Sequence, residues 1–222
     1  MMKLMEILNS SITMAFQSRG QFMKKQRVVI IGGGSAGIST AARLAKFIDK
    51  SNITIIDPST THYYQPLFTL GGAGIGTKSQ TARSMQSLIP PGVTWLQKSV
   101  EEIHPAKNEV ITTDLQQIPY DFLIVCPGIQ LDWQKIPGVS GNIGKNGICS
   151  NYSVEHVEYT WEAIRNFKGG RAIFTFPNTP VKCAGAPQKI MYLAEHYWRR
   201  QKLRDKTDIS FMSAAASIFA VK

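Results

Sequence analysis

A β-branched run that feeds a glycine-rich turn and then a helical repeat constrains this chain more than any other feature. From Arg27 the sequence reads Val28-Val29-Ile30-Ile31-Gly32-Gly33-Gly34-Ser35-Ala36-Gly37-Ile38, and apolar residues at Ala41, Ala42, Leu44, Ala45 and Ile48 keep helical spacing. Gly32, Gly34 and Gly37 form Gly-x-Gly-x-x-Gly in the strand–turn–helix setting the pattern needs. There Gly32 permits the tight turn, Gly34 lets the main chain approach a pyrophosphate, and Gly37 allows close helix–strand packing. The helix N-terminus then offers free N–H groups to phosphate oxygens. A second strand, Ile53-Thr54-Ile55-Ile56, ends at Asp57, an acid placed to accept hydrogen bonds from ribose hydroxyls and to repel a 2′-phosphate. The competing reading is a glycine turn with a purely structural role. FAD and NAD both use such a half-site, so this much leaves the cofactor open.

The residues beyond Asp57 bear on that choice. An aromatic loop, His62-Tyr63-Tyr64-Gln65-Pro66-Leu67-Phe68, and a flexible Gly71-Gly72-Ala73-Gly74 stand where a simple NAD dehydrogenase returns to a helix and third strand. Short strand-like pieces come next, at Val93 to Leu96, around Val100 to Ile103, and at Glu109 to Thr112. They read as small antiparallel strands inserted before the apolar run Tyr120-Asp121-Phe122-Leu123-Ile124-Val125. This arrangement is typical of α/β flavoproteins with two dinucleotide-binding domains, and it predicts FAD. The run ends at Cys126-Pro127-Gly128, where such proteins often carry Ala-Thr-Gly, a departure that weakens any flavin role for Cys126. His62, Tyr63 and Tyr64 suit loop packing as well as ligand contact.

Composition narrows the function classes. The 222 residues are 43% hydrophobic and 18% charged, as in a globular protein, and the longest uncharged apolar stretch, Ile209 to Val221, is shorter than a spanning helix needs. The net charge of +10 is not laid out as one binding surface: residues 1–27 hold Lys3, Arg19, Lys24, Lys25 and Arg27 against Glu6 alone, and Arg199, Arg200, Lys202, Arg204 and Lys206 end a predicted helix. No nucleic-acid motif accompanies it, so nucleic acid is not an expected partner. Residues 1–25 mix basic residues with Ser, Thr, Met, Leu and Phe around one acid, which suits a mitochondrial presequence or a frayed basic tail. Cys126, Cys149 and Cys183 are too few for a disulfide scaffold and too far apart for a zinc site.

The second half repeats the strand–turn–helix pattern with different chemistry. Arg171-Ala172-Ile173-Phe174-Thr175-Phe176 reads as the strand, but Pro177, Asn178, Thr179 and Pro180 replace the glycines. Prolines remove the N–H groups that would bind a pyrophosphate, so a nicotinamide cofactor is disfavoured and another electron donor is implied. Cys183 follows Lys182 and precedes a helix predicted from Pro187, with Ile190, Leu193, Ala194 and Tyr197 on its apolar face. A cation and a helix N-terminus favour a thiolate there. A small cysteine packing the turn is the alternative. Cys149 lacks such a setting and reads as structural.

The segment Phe174-Thr175-Phe176-Pro177-Asn178-Thr179-Pro180-Val181-Lys182-Cys183-Ala184-Gly185-Ala186-Pro187-Gln188-Lys189 resembles the active-cysteine segment of animal-type mitochondrial sulfide:quinone oxidoreductases. His62-Tyr63-Tyr64-Gln65-Pro66, Gly128-Ile129-Gln130-Leu131 and Ser150-Asn151-Tyr152-Ser153 are similar to that family too, and the likeness covers residues 27–222. It implies a catalytic Cys183 and an FAD held by Gly32, Gly34, Ser35, Ala36 and Gly37 at the pyrophosphate and Asp57 at the ribose. Gln65, Val100 near the adenine and Gly128 are further expected contacts. It implies sulfide as donor, ubiquinone as acceptor, a small thiol or sulfite to take the sulfur, and a peripheral place on the mitochondrial inner membrane. The expected division is a presequence at 1–25, a first FAD-domain segment at 26–135 and the start of a second dinucleotide-type domain at 150–222. A second catalytic cysteine, a later flavin-contacting segment and the membrane-contacting helices are expected in a C-terminal half beyond this chain. The alternatives are an NADH-fed quinone reductase of the same fold and an inactive, truncated flavin-binding fragment.

Overall fold

The computed structural model describes residues 26–214, so the basic stretch 1–25 lies outside the described residues. Its elements, in chain order, begin with β1 (Val28–Ile31), α1 (Ser35–Leu44), β2 (Ile53–Ile56), β3 (Thr61–Tyr63) and α2 (Phe68–Gly72). Next come α3 (Lys78–Thr81), β4 (Ala82–Ser84), α4 (Met85–Leu88), β5 (Thr94–Leu96), β6 (Val100–His104), β7 (Glu109–Thr112), β8 (Gln117–Pro119) and β9 (Phe122–Val125). The last four are α5 (Val157–Asn166), β10 (Gly170–Phe176), α6 (Ala186–Arg200) and β11 (Thr207–Ser213). The described chain divides into two compact units, residues 26–62 with 83–128, and residues 63–82 with 129–214.

In the first unit a parallel sheet runs in the order β5-β2-β1-β9. Val28 aligns with Ile53 and Phe122, and Ile31 with Ile56 and Val125. Both faces of this sheet are covered, which is why β1 and β2 are continuous β-branched runs rather than alternating ones. On one face Val28, Ile30, Ile53 and Ile55 pack with Ala41 of α1 and with Met85. On the other, Val29 and Ile56 meet Val110, Ile118 and Tyr120, which belong to or adjoin the antiparallel sheet β6-β7-β8. The strand at Val93 to Leu96 differs from expectation. Thr94–Leu96 is the parallel edge strand beside β2, paired from Thr54↔Thr94 to Ile56↔Leu96, because Trp95 finds its apolar neighbours in the sheet core rather than in the insertion.

In the second unit β10 and β11 pair in parallel from Gly170↔Thr207 to Phe176↔Ser213. Ile164 of α5 and Ile190, Ala194 and Trp198 of α6 form the core beside them, with Ala172, Phe174 and Ile209 packed against it. The indole N–H of Trp198 donates to the carbonyl of Ile164 at 2.9 Å, so the largest core side chain leaves no polar atom unpaired. Of the stretch Gly71-Gly72-Ala73-Gly74, expected to be flexible, Gly71 and Gly72 close α2. Gly71 and Gly72 are buried, and a Cβ on Gly72 would lie 3.3 Å from Thr160 and 3.4 Å from Asn151, so missing side chains here serve packing.

Candidate functional site

The glycine turn of the first unit has the geometry a dinucleotide needs. Gly32 adopts φ +98°, and a Cβ there would come within 2.1 Å of the Cys126 carbonyl. Such a position is open to glycine alone. At Gly37 a Cβ would meet the Gly32 carbonyl oxygen at 1.9 Å, so α1 crosses the strand end too closely for any side chain. Gly34 differs from both: a Cβ there meets nothing within 4 Å, and Gly34, Ser35 and Ala36 are exposed. Gly34 contributes no side-chain cap to α1 and the first turn holds no acid. The helix thus presents uncapped N–H groups and an uncompensated dipole to open space, which fits a pyrophosphate.

Asp57 closes the turn from the end of β2. Its Oδ2 accepts the Gly33 N–H at 2.6 Å and its Oδ1 accepts the Ser59 N–H at 2.8 Å. Its carbonyl accepts the Trp95 indole N–H at 2.9 Å, and its own N–H donates to Leu96. The carboxylate is therefore locked in place with lone pairs still free for a ribose hydroxyl. His62 is buried with Nδ1 at 3.2 Å from the Gly33 carbonyl, a contact that holds the turn. Val100 packs against the Val110 and Tyr120 cluster, and Gly128 has φ +77° with open space at its Cβ position.

The second unit holds Cys183 and Gln65. Residues 177–185 connect β10 to α6, a longer path than the three-residue glycine turn of the first unit, with Pro177 and Pro180 in it. Cys183 is exposed just before α6, and its carbonyl accepts the Ala186 N–H at 3.2 Å. The same carbonyl accepts the hydroxyl of Tyr152 at 2.6 Å. The Lys182 ammonium lies 5.1 Å from the Tyr152 ring centroid and 6.0 Å from that of Phe68. Desolvation there holds the Lys182 pKa below the ordinary lysine value, opposed by the charge of Cys183. Burial, and then the charge of Cys183, push Tyr152 up to about 12, so its hydroxyl keeps its proton. A cleft of about 180 Å³ opens beside these groups, lined by Gln65, Phe68, Ile129, Tyr152, Glu155 and Lys182 among others. By contrast, burial pushes the Cys149 thiol up to about 11, which makes it inert near neutrality. Tyr152 is a neighbour of Cys183 that motif reading misses. Its one signal is the Ser150-Asn151-Tyr152-Ser153 likeness, which assigns it no role.

Comparison with known proteins decides the family. The pyridine nucleotide-disulphide oxidoreductase family matches residues 26–163. The chain belongs to that family. It is 49% identical over 195 residues to the mitochondrial sulfide:quinone oxidoreductase of Mus musculus, covering 88% of this chain and 43% of that one. To the mitochondrial sulfide:quinone oxidoreductase of Schizosaccharomyces pombe it is 36% identical, covering 96% of this chain and 51% of the relative. The chain therefore spans about half the length of the curated relatives it matches. The crystal structure of the sulfide:quinone oxidoreductase of Aquifex aeolicus superposes with a TM-score of 0.68 over 85% of this chain and 43% of that one, at 22% identity, a match of fold. The fold is the Rossmann-like one of the two-domain flavoproteins.

Proposed function

We propose that this chain carries the FAD-binding and sulfur-reacting part of a mitochondrial sulfide:quinone oxidoreductase, with Cys183 as the reacting thiol. The observation that carries this reading is the β10–α6 connection. It has prolines where a second dinucleotide turn needs glycines, and it presents an exposed cysteine three residues before α6. The high identity to relatives that bear that activity in their names supports it. The same turn argues against an NADH-fed reductase.

In this reading the main-chain N–H groups at Gly34, Ser35 and Ala36 hold the FAD pyrophosphate, Gly32 and Gly37 shape the turn, and Asp57 takes a ribose hydroxyl. Bound FAD supplies a two-electron acceptor and the route onward to ubiquinone. Cys183 begins in a disulfide with a second thiol supplied from outside these residues. Hydrosulfide attacks the Cys183 sulfur; the old S–S bond breaks, a persulfide S–S bond forms on Cys183, and the partner leaves as thiolate. The persulfide and thiolate together carry the two electrons that leave the sulfur centre, and a small thiol or sulfite accepts the sulfane sulfur. Lys182, the residue before Cys183, brings a cation to this segment. Relatives named as mitochondrial, together with the basic stretch 1–25, support a mitochondrial location, and a ubiquinone acceptor would put the protein at the inner-membrane surface.

The test uses Cys183 carried as a mixed disulfide with glutathione. Sulfide should release glutathione and leave a persulfide mapped by mass spectrometry to Cys183. Persulfide on Cys126 or Cys149 with none on Cys183 would sink the assignment.

A further inference from the structure

The sulfur chemistry proposed above uses no side chain of Ser150-Asn151-Tyr152-Ser153, yet three of them are committed within the second unit. Asn151 is buried and its amide donates to the Thr69 hydroxyl of α2 at 2.9 Å. Ser153 is buried and its hydroxyl bonds the Glu155 carboxylate. Ser150 Oγ accepts the Tyr152 N–H at 3.1 Å, which fixes the backbone at the tyrosine. Tyr152 alone points away from this local set, to the carbonyl of Cys183.

We infer that this tetrapeptide is a bracket whose Tyr152 is a positioning residue: it pins the main chain of Cys183 by its hydroxyl and seats the Lys182 ammonium on its ring. Each half of the contact has a physical reason. A phenol that stays protonated donates to a carbonyl, which is a fixed acceptor, so the bond persists across the pH range of sulfide chemistry. The ring face attracts a cation, and residue 182 is covalently next to 183. Both contacts fall on one two-residue segment in a turn whose prolines leave it few hydrogen bonds of its own. The Asn151–Thr69 bond ties the bracket to a buried helix, so the tyrosine is itself held. The result is that the ammonium and the thiol stay together while the cleft beside them stays open. The inference rests on Cys183 being the reacting thiol, but the anchoring can be measured without any turnover.

Tyr152→Phe keeps the ring and removes only the hydroxyl. In the full chain, amide hydrogen exchange in the peptide spanning 181–186 should quicken by about five-fold, the loss of one hydrogen bond. Iodoacetamide labelling of Cys183 at neutral pH should slow several-fold, with the melting temperature lowered by no more than about 2–4 °C. Lys182→Met should slow the labelling and leave the exchange as in the parent. Ser150→Ala, which removes only the acceptor for the Tyr152 amide, gives a milder second test and should also quicken exchange at 181–186. Parent-like exchange in both Y152F and S150A overturns the proposal. Failure of the sulfur chemistry would look different: normal anchoring in a chain whose Cys183 takes no persulfide.

Discussion

The carboxylate of Asp57 accepts the main-chain N–H of Gly33 at 2.6 Å, so the acid that ends β2 also holds the glycine turn that ends β1. A residue expected to serve a ribose thus has a second task before any cofactor arrives. Asp57→Ala should leave the Gly33 N–H without a partner in a buried turn, at a cost of about 1–3 kcal/mol in urea unfolding of the flavin-free chain. FAD affinity should fall as well. An unchanged unfolding midpoint would show that the turn does not depend on the acid.

The glycines of that turn separate into packing and binding roles. Gly37→Ala drives a methyl into the Gly32 carbonyl, 1.9 Å away, and should cost at least about 1–3 kcal/mol with or without flavin. Gly34→Ala meets open space, so the flavin-free melt should match the parent while FAD binding weakens. Paired thermal melts and flavin fluorescence titrations separate the two. Equal destabilisation by both would contradict the division.

These positions also show what the sequence makes legible. The order of β1, the turn, α1 and β2 follows from short-range rules, because glycine spacing and β-branched runs act over a few residues. The helix expected from Pro187 is readable for the same reason, and α6 starts at Ala186. The pairing of β5 is not, since Thr94-Trp95-Leu96 fits a parallel edge as well as an antiparallel insertion and only the core contact of Trp95 decides it. The grouping of residues 63–82 with the later unit is hidden too, because it depends on Gly72 fitting against Thr160 and Asn151, far along the chain. Tyr152 and Cys183 are 31 residues apart, and no local rule links a tyrosine to a distant carbonyl.

The thiols should label unequally. With the Cys149 thiol pushed up to about 11 by burial, only about one molecule in a thousand carries its thiolate at pH 8. Exposed Cys183 should therefore react with iodoacetamide at least about ten-fold faster, as read by peptide mass spectrometry. The same shift has a stability consequence. A thiol raised in the folded state supports the fold below its unfolded value, near about pH 8.5, and that support is lost as pH rises towards 11. Cys149→Ala should flatten the alkaline decline in stability; an unchanged slope would place its cause elsewhere.

At the acid end, Arg27 and Asp121 make the matching test. The Arg27 side chain and then its main-chain N–H hold the Asp121 carboxyl below the usual range. A lowered carboxyl supports the fold above its unfolded value, near about pH 3.9, and that support goes as pH falls through the folded value. Asp121→Asn should weaken the acid dependence below about pH 4 and leave stability near neutrality little changed, because the pair is exposed. Identical acid unfolding curves would rule the pair out.

Whether sulfide, acting through Cys183, is the electron donor is tested most directly by flavin absorbance. The FAD-loaded protein, with Cys183 in a disulfide with a second protein thiol that stays in place as thiolate when sulfide attacks, receives sulfide or NADH without oxygen, beside a Cys183→Ser control. Rapid bleaching of the visible flavin band by sulfide is the predicted result, with none by NADH and none beyond the rate of free flavin in the serine variant. Bleaching by NADH, or equal bleaching by sulfide in the serine variant, would contradict it.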